Sequence, residues 1–229
     1  MTDDLCILFA YHRCDALTLH HYRTLLQSNR RHRIIPITDD VPEHLPGTVD
    51  VKDFPDPWAP ARPWRRCDTM LYRWFSQRNF TARRYLLLEY DCLCTVDAAD
   101  AYREVWDADV AARDAYLPGQ GLDTRGGEDV QREWFNFREI DRLPAGDQPF
   151  AAGLAPLAGM LFSHGGLDRI VANATTNDVF CELRLGTAAR KAGLTPMAFP
   201  PDLRRTIRWD PHPMVPGEPG IYHAIKSVD

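Results

Sequence analysis

The sequence contains no apolar run that approaches the roughly 20 residues needed to cross a bilayer, so no transmembrane segment is predicted. Its first eight residues include two aspartates and no basic stretch, which argues against a secretory leader and leads us to expect a cytoplasmic location. An excess of basic residues is also lacking, because the net charge is −5. Nucleic-acid binding with counterion release needs a basic surface, so we expect no nucleic-acid partner.

Cysteine is sparse, with six residues in a chain of 229, which is too few for a disulfide scaffold of this length. Cys6, Cys92, Cys94 and Cys181 lie in apolar surroundings and are predicted to be buried thiols. The close pair, Cys92 and Cys94, lacks the two-residue gap and the second ligand pair of a zinc site. With 45% hydrophobic and 26% charged residues, the composition is that of a folded globular protein, and we expect one domain over residues 1–229.

Short apolar runs alternate with helical spacing in the first ninety residues. Residues 6–11 and 33–37 are predicted strands, and residues 17–26 carry apolar side chains at the spacing of a helix. Six prolines between residues 41 and 63 predict an irregular connection. This order predicts an α/β fold with a mostly parallel, Rossmann-like central sheet flanked by helices. Its ligand site should lie outside the carboxyl ends of the strands.

A third predicted strand, residues 85–88, ends at two acids, Glu89 and Asp91. In an extended chain, residues two apart leave the same face, so both carboxylates can share one divalent cation and the phosphates bound to it. Alternatively, the strand simply leaves the core into polar solvent. Residues 11–15 and 38–40 follow the first two strands, and we expect them to converge with these acids on one edge of the sheet.

A helix is predicted over residues 64–75, because its apolar side chains recur at steps of three and four. Arg65 and Asp68 fall off this apolar stripe near the helix start. They either belong to a solvated outer face or bind a nucleotide, with the guanidinium on phosphate and the carboxylate on ribose or base.

Residues 157–163 are predicted to form another buried strand, after which two glycines, Gly165 and Gly166, would let the backbone approach a ligand before a helix that starts near Leu167. A further helix is predicted over residues 179–192, with Asn177 as its N-cap. Asp178 and Glu182 are four apart and should face one side of its first turn. They either compensate the helix dipole or supply a general base.

Two segments are predicted to be irregular. Residues 113–150 are expected to form a long active-site loop with a short helix over residues 129–138. Residues 200–229 are rich in proline and predict an extended tail without regular secondary structure. Ile221 and Ile225 would be out of place on a free terminus, so we expect the end of the tail to dock on the body.

Taken in order, these segments resemble a bacterial nucleotide-sugar glycosyltransferase of the GT-A fold. Glu89-Tyr90-Asp91 stands where such enzymes carry an Asp-any-Asp metal motif, and residues 158–162 resemble their acceptor-side strand. The segment from Asn177 to Glu182 resembles their catalytic acid helix. The last segment, residues 222–226, is similar to the C-terminal histidine and lysine of several such families.

The resemblance implies transfer of a sugar from a nucleoside diphosphate sugar, with a UDP-sugar as the expected donor, to an acceptor hydroxyl or similar nucleophile. It implies Mn²⁺ or Mg²⁺ as the cofactor, held by Asp91, Glu89 and His223. Asp178 or Glu182 would deprotonate the acceptor in an inverting displacement. The implied donor-binding residues are Tyr11, Arg13, Arg65, Asp68, Glu89 and Lys226.

Two other functions fit a similar fold. A sugar-nucleotide nucleotidyltransferase would use a comparable sheet and metal, but it usually opens with a glycine-rich loop after the first strand. Residues 11–15 contain no glycine, which argues against that activity. The remaining alternative is a non-catalytic GT-A-like binding module.

Overall fold

The computed structural model describes residues 3–39, 41–55, 57, 67–118, 135–175, 178–207 and 218–225. The strands are β1 Asp3–Ala10, β2 Arg33–Thr38, β3 Val49–Asp50, β4 Ala82–Glu89, β5 Leu93–Cys94, β6 Val110–Ala112, β7 Asp114–Tyr116, β8 Gly153–Ala155, β9 Leu161–Ser163, β10 Met197–Ala198 and β11 Ile221–Tyr222. The helices are α1 Ala16–Ser28, α2 Cys67–Gln77, α3 Ala98–Ala101, α4 His164–Asn173, α5 Cys181–Lys191 and α6 Pro201–Thr206, and short 3₁₀ helices cover Arg103–Val105, Phe135–Arg142 and Gln148–Phe150. None of the described helices is long and apolar enough to span a bilayer.

Seven strands form the central sheet, in the order β10-β6-β9-β4-β1-β2-β3. β1 is parallel to both of its neighbours, β2 and β4, while β9 runs antiparallel between β4 and β6. Two small antiparallel pairs, β5 with β11 and β7 with β8, lie outside this sheet. The mostly parallel α/β sheet predicted from the sequence is therefore confirmed.

Helices cover both faces of the sheet, which explains the nearly continuous apolar runs of β1 and β4. Successive β1 residues enter different cores: Leu8 packs with α2, α4 and α5, while Ile7 and Phe9 pack with α1 and α3. Side chains alternate across a strand, so a strand buried on both faces needs apolar residues at every position. The predicted strands at residues 6–11, 33–37 and 85–88 and the helix at residues 17–26 correspond to β1, β2, β4 and α1.

Within the later predicted strand, residues 157–163, only Leu161–Ser163 is extended. α4 begins at His164, earlier than expected, because the Ser163 hydroxyl caps it by accepting a hydrogen bond of 2.8 Å from the Gly166 N–H. A Cβ at position 166 would overlap the Asp109 carbonyl. This glycine therefore permits packing of α4 against the backbone of Asp109, not the predicted approach to a ligand.

The prediction of an irregular tail was wrong. α6 starts at Pro201, a position that tolerates proline because the first N–H groups of a helix have no intrahelical partner. The end of the tail forms β11, and Ile221 and Ile225 are buried, so the predicted docking is confirmed.

The remaining connections contain more regular structure than expected. β3 lies within the proline-rich connection, and β7 opens the predicted loop at residues 113–150 by pairing with β8. The 3₁₀ helix Phe135–Arg142 overlaps the predicted helix at residues 129–138, although residues 119–134 lie outside the described part of the chain. The four cysteines predicted to be buried thiols, Cys6, Cys92, Cys94 and Cys181, are buried, and none of them forms a disulfide within the described part of the chain.

Candidate functional site

Three strand ends meet at one edge of the sheet. Ala10 of β1 is in register with Ile37 of β2 and with Glu89 of β4, so the residues that follow these strands emerge side by side. They border a cavity of about 500 Å³ that also receives residues from α2, α5, the turn after β8 and the tail. Its lining comprises Ala10, Tyr11, His12, Asp39, Cys67, Met70, Glu89, Tyr90, Asp91, Pro156, Leu157, Phe180, Cys181, Glu182, His223 and Ala224.

Glu89, Asp91 and His223 form a cluster in the wall of this cavity. Nε2 of His223 lies 3.5 Å from Oδ1 of Asp91 and 3.8 Å from Oε2 of Glu89. One ligand atom from each residue lies within 4.8 Å of the other two, as needed to surround one ion. Two carboxylates and one imidazole are side chains that can together hold a divalent metal ion.

The tail brings His223 to the two acids through backbone hydrogen bonds. β11 pairs with β5, which follows the acidic turn directly. The N–H of His223 donates to the Thr206 carbonyl at 3.1 Å, and the N–H of Ile225 donates to the Asp91 carbonyl at 2.9 Å. These contacts fix the histidine from both sides. Lys226, predicted to bind the donor, lies outside the described residues.

Tyr11 and Arg13, two predicted donor-binding residues, are found at the end of β1. The Tyr11 hydroxyl is 2.8 Å from Oγ1 of Thr48 and accepts a hydrogen bond of 3.2 Å from the Leu45 N–H, so it anchors the connection before β3. Arg13 forms an ion pair of 3.0 Å with Asp15, and its guanidinium lies 4.6 Å from the centre of the Tyr90 ring. Tyr11 thus lines the cavity, whereas Arg13 borders the acidic turn.

Asp68 does not face a nucleotide, contrary to expectation. It is fully buried, and its two carboxylate oxygens accept hydrogen bonds of 2.7 and 2.5 Å from Nε and Nη2 of Arg184 on α5. Burial alone would lower the pKa of Arg184, but the adjacent Asp68 carboxylate raises it, so the guanidinium is ionised. Asp68 therefore joins α2 to α5. Arg65, predicted to act beside it, lies outside the described residues.

The two candidate bases lie in different environments. α5 begins at Cys181, so Asp178 precedes the helix instead of sharing its first turn with Glu182. Asp178 is 38% exposed and forms an ion pair of 2.8 Å with Arg142, whereas Glu182 is buried and lines the cavity. The start of α5 is stabilised by Glu139, which accepts a hydrogen bond of 2.8 Å from the Phe180 N–H. Asn177, the predicted N-cap, lies outside the described residues.

Several cavity residues were not predicted as site residues. His12 and Asp39 follow β1 and β2, where only their general location was expected, and the His12 ring contacts the Tyr90 ring at 4.4 Å. Cys67 and Cys181 begin α2 and α5 and contact each other. Their hydrogen bond, together with burial, raises the pKa of the Cys181 thiol well above its ordinary value. Because that thiol stays protonated near neutral pH, it is a poor nucleophile.

No protein-family model and no curated protein matches the chain. Among solved structures, glycosyltransferase GlyE of Streptococcus pneumoniae TIGR4 is similar with a TM-score of 0.40 and 10% identity, over 86% of this chain and 45% of GlyE. Galactosyltransferase LgtC in complex with donor and acceptor sugar analogues gives a TM-score of 0.39 and 14% identity, over 82% of this chain and 70% of LgtC. An active-site mutant of LgtC gives a TM-score of 0.36 and 14% identity, over 70% of this chain and 57% of the mutant chain. Because these TM-scores are below 0.5, the function has to be argued from the geometry of the site.

Proposed function

We propose that this protein is a metal-dependent glycosyltransferase that moves a sugar from a nucleoside diphosphate sugar to an acceptor hydroxyl or a similar nucleophile. The observation that carries the proposal is the meeting of Glu89, Asp91 and His223 in one cavity wall, at the carboxyl ends of parallel strands. Ligands bind at this edge in open α/β sheets. A buried acid, Glu182, belongs to the same cavity and supplies a candidate base.

The three clustered residues would hold the metal, for which Mn²⁺ or Mg²⁺ is the candidate ion. When bound, a divalent ion stabilises the negative charge that develops on the leaving diphosphate. Asp91 and His223 are buried, while Glu89 at the end of β4 is half-buried. We therefore assign Asp91 and His223 as direct ligands and Glu89 as the ligand that also borders the donor.

The remaining cavity residues would position the two substrates. His12 and Asp39 lie just after β1 and β2 and would contact the nucleoside of the donor, for which a UDP-sugar is the first candidate. Glu182 would accept the proton of the acceptor hydroxyl as this oxygen attacks the sugar, in an inverting displacement. Glu182 is buried and lines the cavity beside Phe180, Cys181 and Leu157, where an acceptor hydroxyl could reach it.

The proposal is tested by incubating the protein with a panel of nucleoside diphosphate sugars and Mn²⁺, and measuring release of the nucleoside diphosphate by slow donor hydrolysis. We expect release from at least one donor and its loss when EDTA removes the metal. A parallel incubation with nucleoside triphosphates and sugar 1-phosphates measures pyrophosphate. Pyrophosphate release alone would instead identify a nucleotidyltransferase, and binding of a donor without any release would identify a non-catalytic module.

A further inference from the structure

His21 lies on the inner side of α1 and has no exposed surface. Its Nδ1 is 2.9 Å from the carbonyl oxygen of Tyr90. A carbonyl oxygen can only accept a hydrogen bond, so Nδ1 carries the proton and Nε2 carries the lone pair. Burial lowers the pKa of His21, which keeps the ring in this neutral form near neutral pH.

The Tyr90 carbonyl belongs to the turn that carries the two clustered acids. Three successive carbonyls of this turn each accept a hydrogen bond from a different partner. Glu89 accepts from the Cys92 N–H at 2.8 Å and Asp91 from the Ile225 N–H at 2.9 Å, both of which are backbone donors. Tyr90 accepts from the ring of His21. Of these three contacts, the one from His21 is made by a side chain and can be removed by a substitution.

Packing alone does not explain a histidine at this position. Nε2 of His21 is buried and has no hydrogen-bond partner among the described residues, and an unsatisfied buried polar atom destabilises a fold. The neighbouring inward positions of α1, Leu17 and Leu25, are apolar. An apolar side chain at position 21 would avoid the unsatisfied nitrogen but would lose the bond to Tyr90. The histidine therefore serves the turn at a cost in stability.

We propose that His21 is a positioning residue of the metal centre. Its Nδ1–H holds the carbonyl of the Tyr90–Asp91 peptide. This hydrogen bond fixes the turn and so the directions in which the Glu89 and Asp91 side chains leave it. This inference rests on the proposed function, because it requires a metal to bind at Glu89, Asp91 and His223. Groups that orient metal ligands by hydrogen bonding typically contribute about 10–100-fold to metal affinity.

The test compares two variants. His21→Phe removes the hydrogen-bond donor, whereas the side-chain amide of His21→Asn can place an N–H near the position of Nδ1. Mn²⁺ binding is measured by calorimetry in the presence of UDP. Thermal unfolding is measured in the absence of both Mn²⁺ and UDP. We expect His21→Phe to weaken Mn²⁺ binding by about 10–100-fold while remaining folded. His21→Asn should bind Mn²⁺ several-fold more tightly than His21→Phe, even if its smaller side chain lowers the unfolding temperature.

The possible failures of this experiment are distinguishable. If the wild-type protein binds no Mn²⁺ with UDP, both the proposed metal site and the role of His21 are overturned. If the wild type binds Mn²⁺ and His21→Phe binds it equally well, the metal site stands and the positioning role is overturned. Equal weakening of Mn²⁺ binding in the Phe and Asn variants would also overturn the positioning role, since the hydrogen bond to Tyr90 would then be irrelevant. Should His21→Phe not fold, His21→Leu provides the same comparison with a smaller side chain.

Discussion

Asp68 and Arg184 form a two-point ion pair in the core, with N–O distances of 2.7 and 2.5 Å, and this pair joins α2 to α5. Both residues are essentially without exposed surface. Each helix also contributes residues to the cavity, Met70 from α2 and Glu182 from α5. The pair therefore links the packing of the core to the geometry of the candidate site.

Breaking this pair should strongly destabilise the fold. Asp68→Asn leaves a buried guanidinium without its counter-charge, so the free energy of unfolding should fall by about 3–5 kcal/mol. Urea unfolding measures the change. The control is the double variant Asp68→Leu with Arg184→Met, which removes both charges. Its free energy of unfolding should fall by much less than the sum of the losses in the two single variants. A loss below about 1 kcal/mol in Asp68→Asn would show that the pair behaves like a surface ion pair.

Removing a metal ligand should abolish metal-dependent donor binding. We expect Asp91→Asn to lose most Mn²⁺-dependent UDP binding, because Asp91 is buried beside His223. Glu89→Gln should have a smaller effect, since Glu89 is half-buried at the end of β4. Calorimetry with UDP and Mn²⁺ measures both. Asp107→Asn is the matched control, because the Asp107 side chain is 86% exposed and lies outside the cavity lining. Wild-type affinity in Asp91→Asn would contradict the assignment.

Glu182 and Asp178 provide a matched pair of acids for testing the base. Glu182→Gln should lower turnover by about 10²–10⁴ and leave donor affinity nearly unchanged. Asp178→Asn should change turnover little, because this carboxylate pairs with Arg142 at the surface. Steady-state transfer kinetics and UDP binding separate the two effects. Full activity in both variants would place the base elsewhere, with residues 123–133 the next segment to examine.

The tail should contribute to both stability and metal binding. A chain ending at Pro219 loses β11, which pairs with β5, and loses the packing of Tyr222 and Ile225 against Leu17 and Leu93. We expect a lower unfolding temperature and no Mn²⁺ binding. His223→Ala should weaken Mn²⁺ binding while leaving the unfolding temperature close to that of the wild type. If the truncated chain keeps its unfolding temperature and its Mn²⁺ affinity, the tail has neither role.

Local pattern was sufficient to predict the elements nearest the site. The continuous apolar runs of β1 and β4 predict strands buried on both faces, and the helical spacing of residues 17–26 predicts α1. The acids at the end of the third run mark the edge where the cavity is found. These features depend on backbone periodicity and on the desolvation cost of charged groups, both of which can be read within a few neighbouring residues.

Only the tertiary structure decided which side chains meet. Asp68 looks like a solvated or ligand-binding residue in the sequence, but the packing of α5 on α2 buries it against Arg184. Asp178 has the right spacing from Glu182 but lies before the helix, which starts at Cys181 after the N-cap residue Phe180, whose N–H is held by Glu139. The contact between His21 and Tyr90 spans 69 positions in the chain, so no local periodicity encodes it. The sequence by itself thus determined β1, β2, β4, α1 and the acidic edge, while long-range packing and hydrogen bonding determined which acids remain available for chemistry.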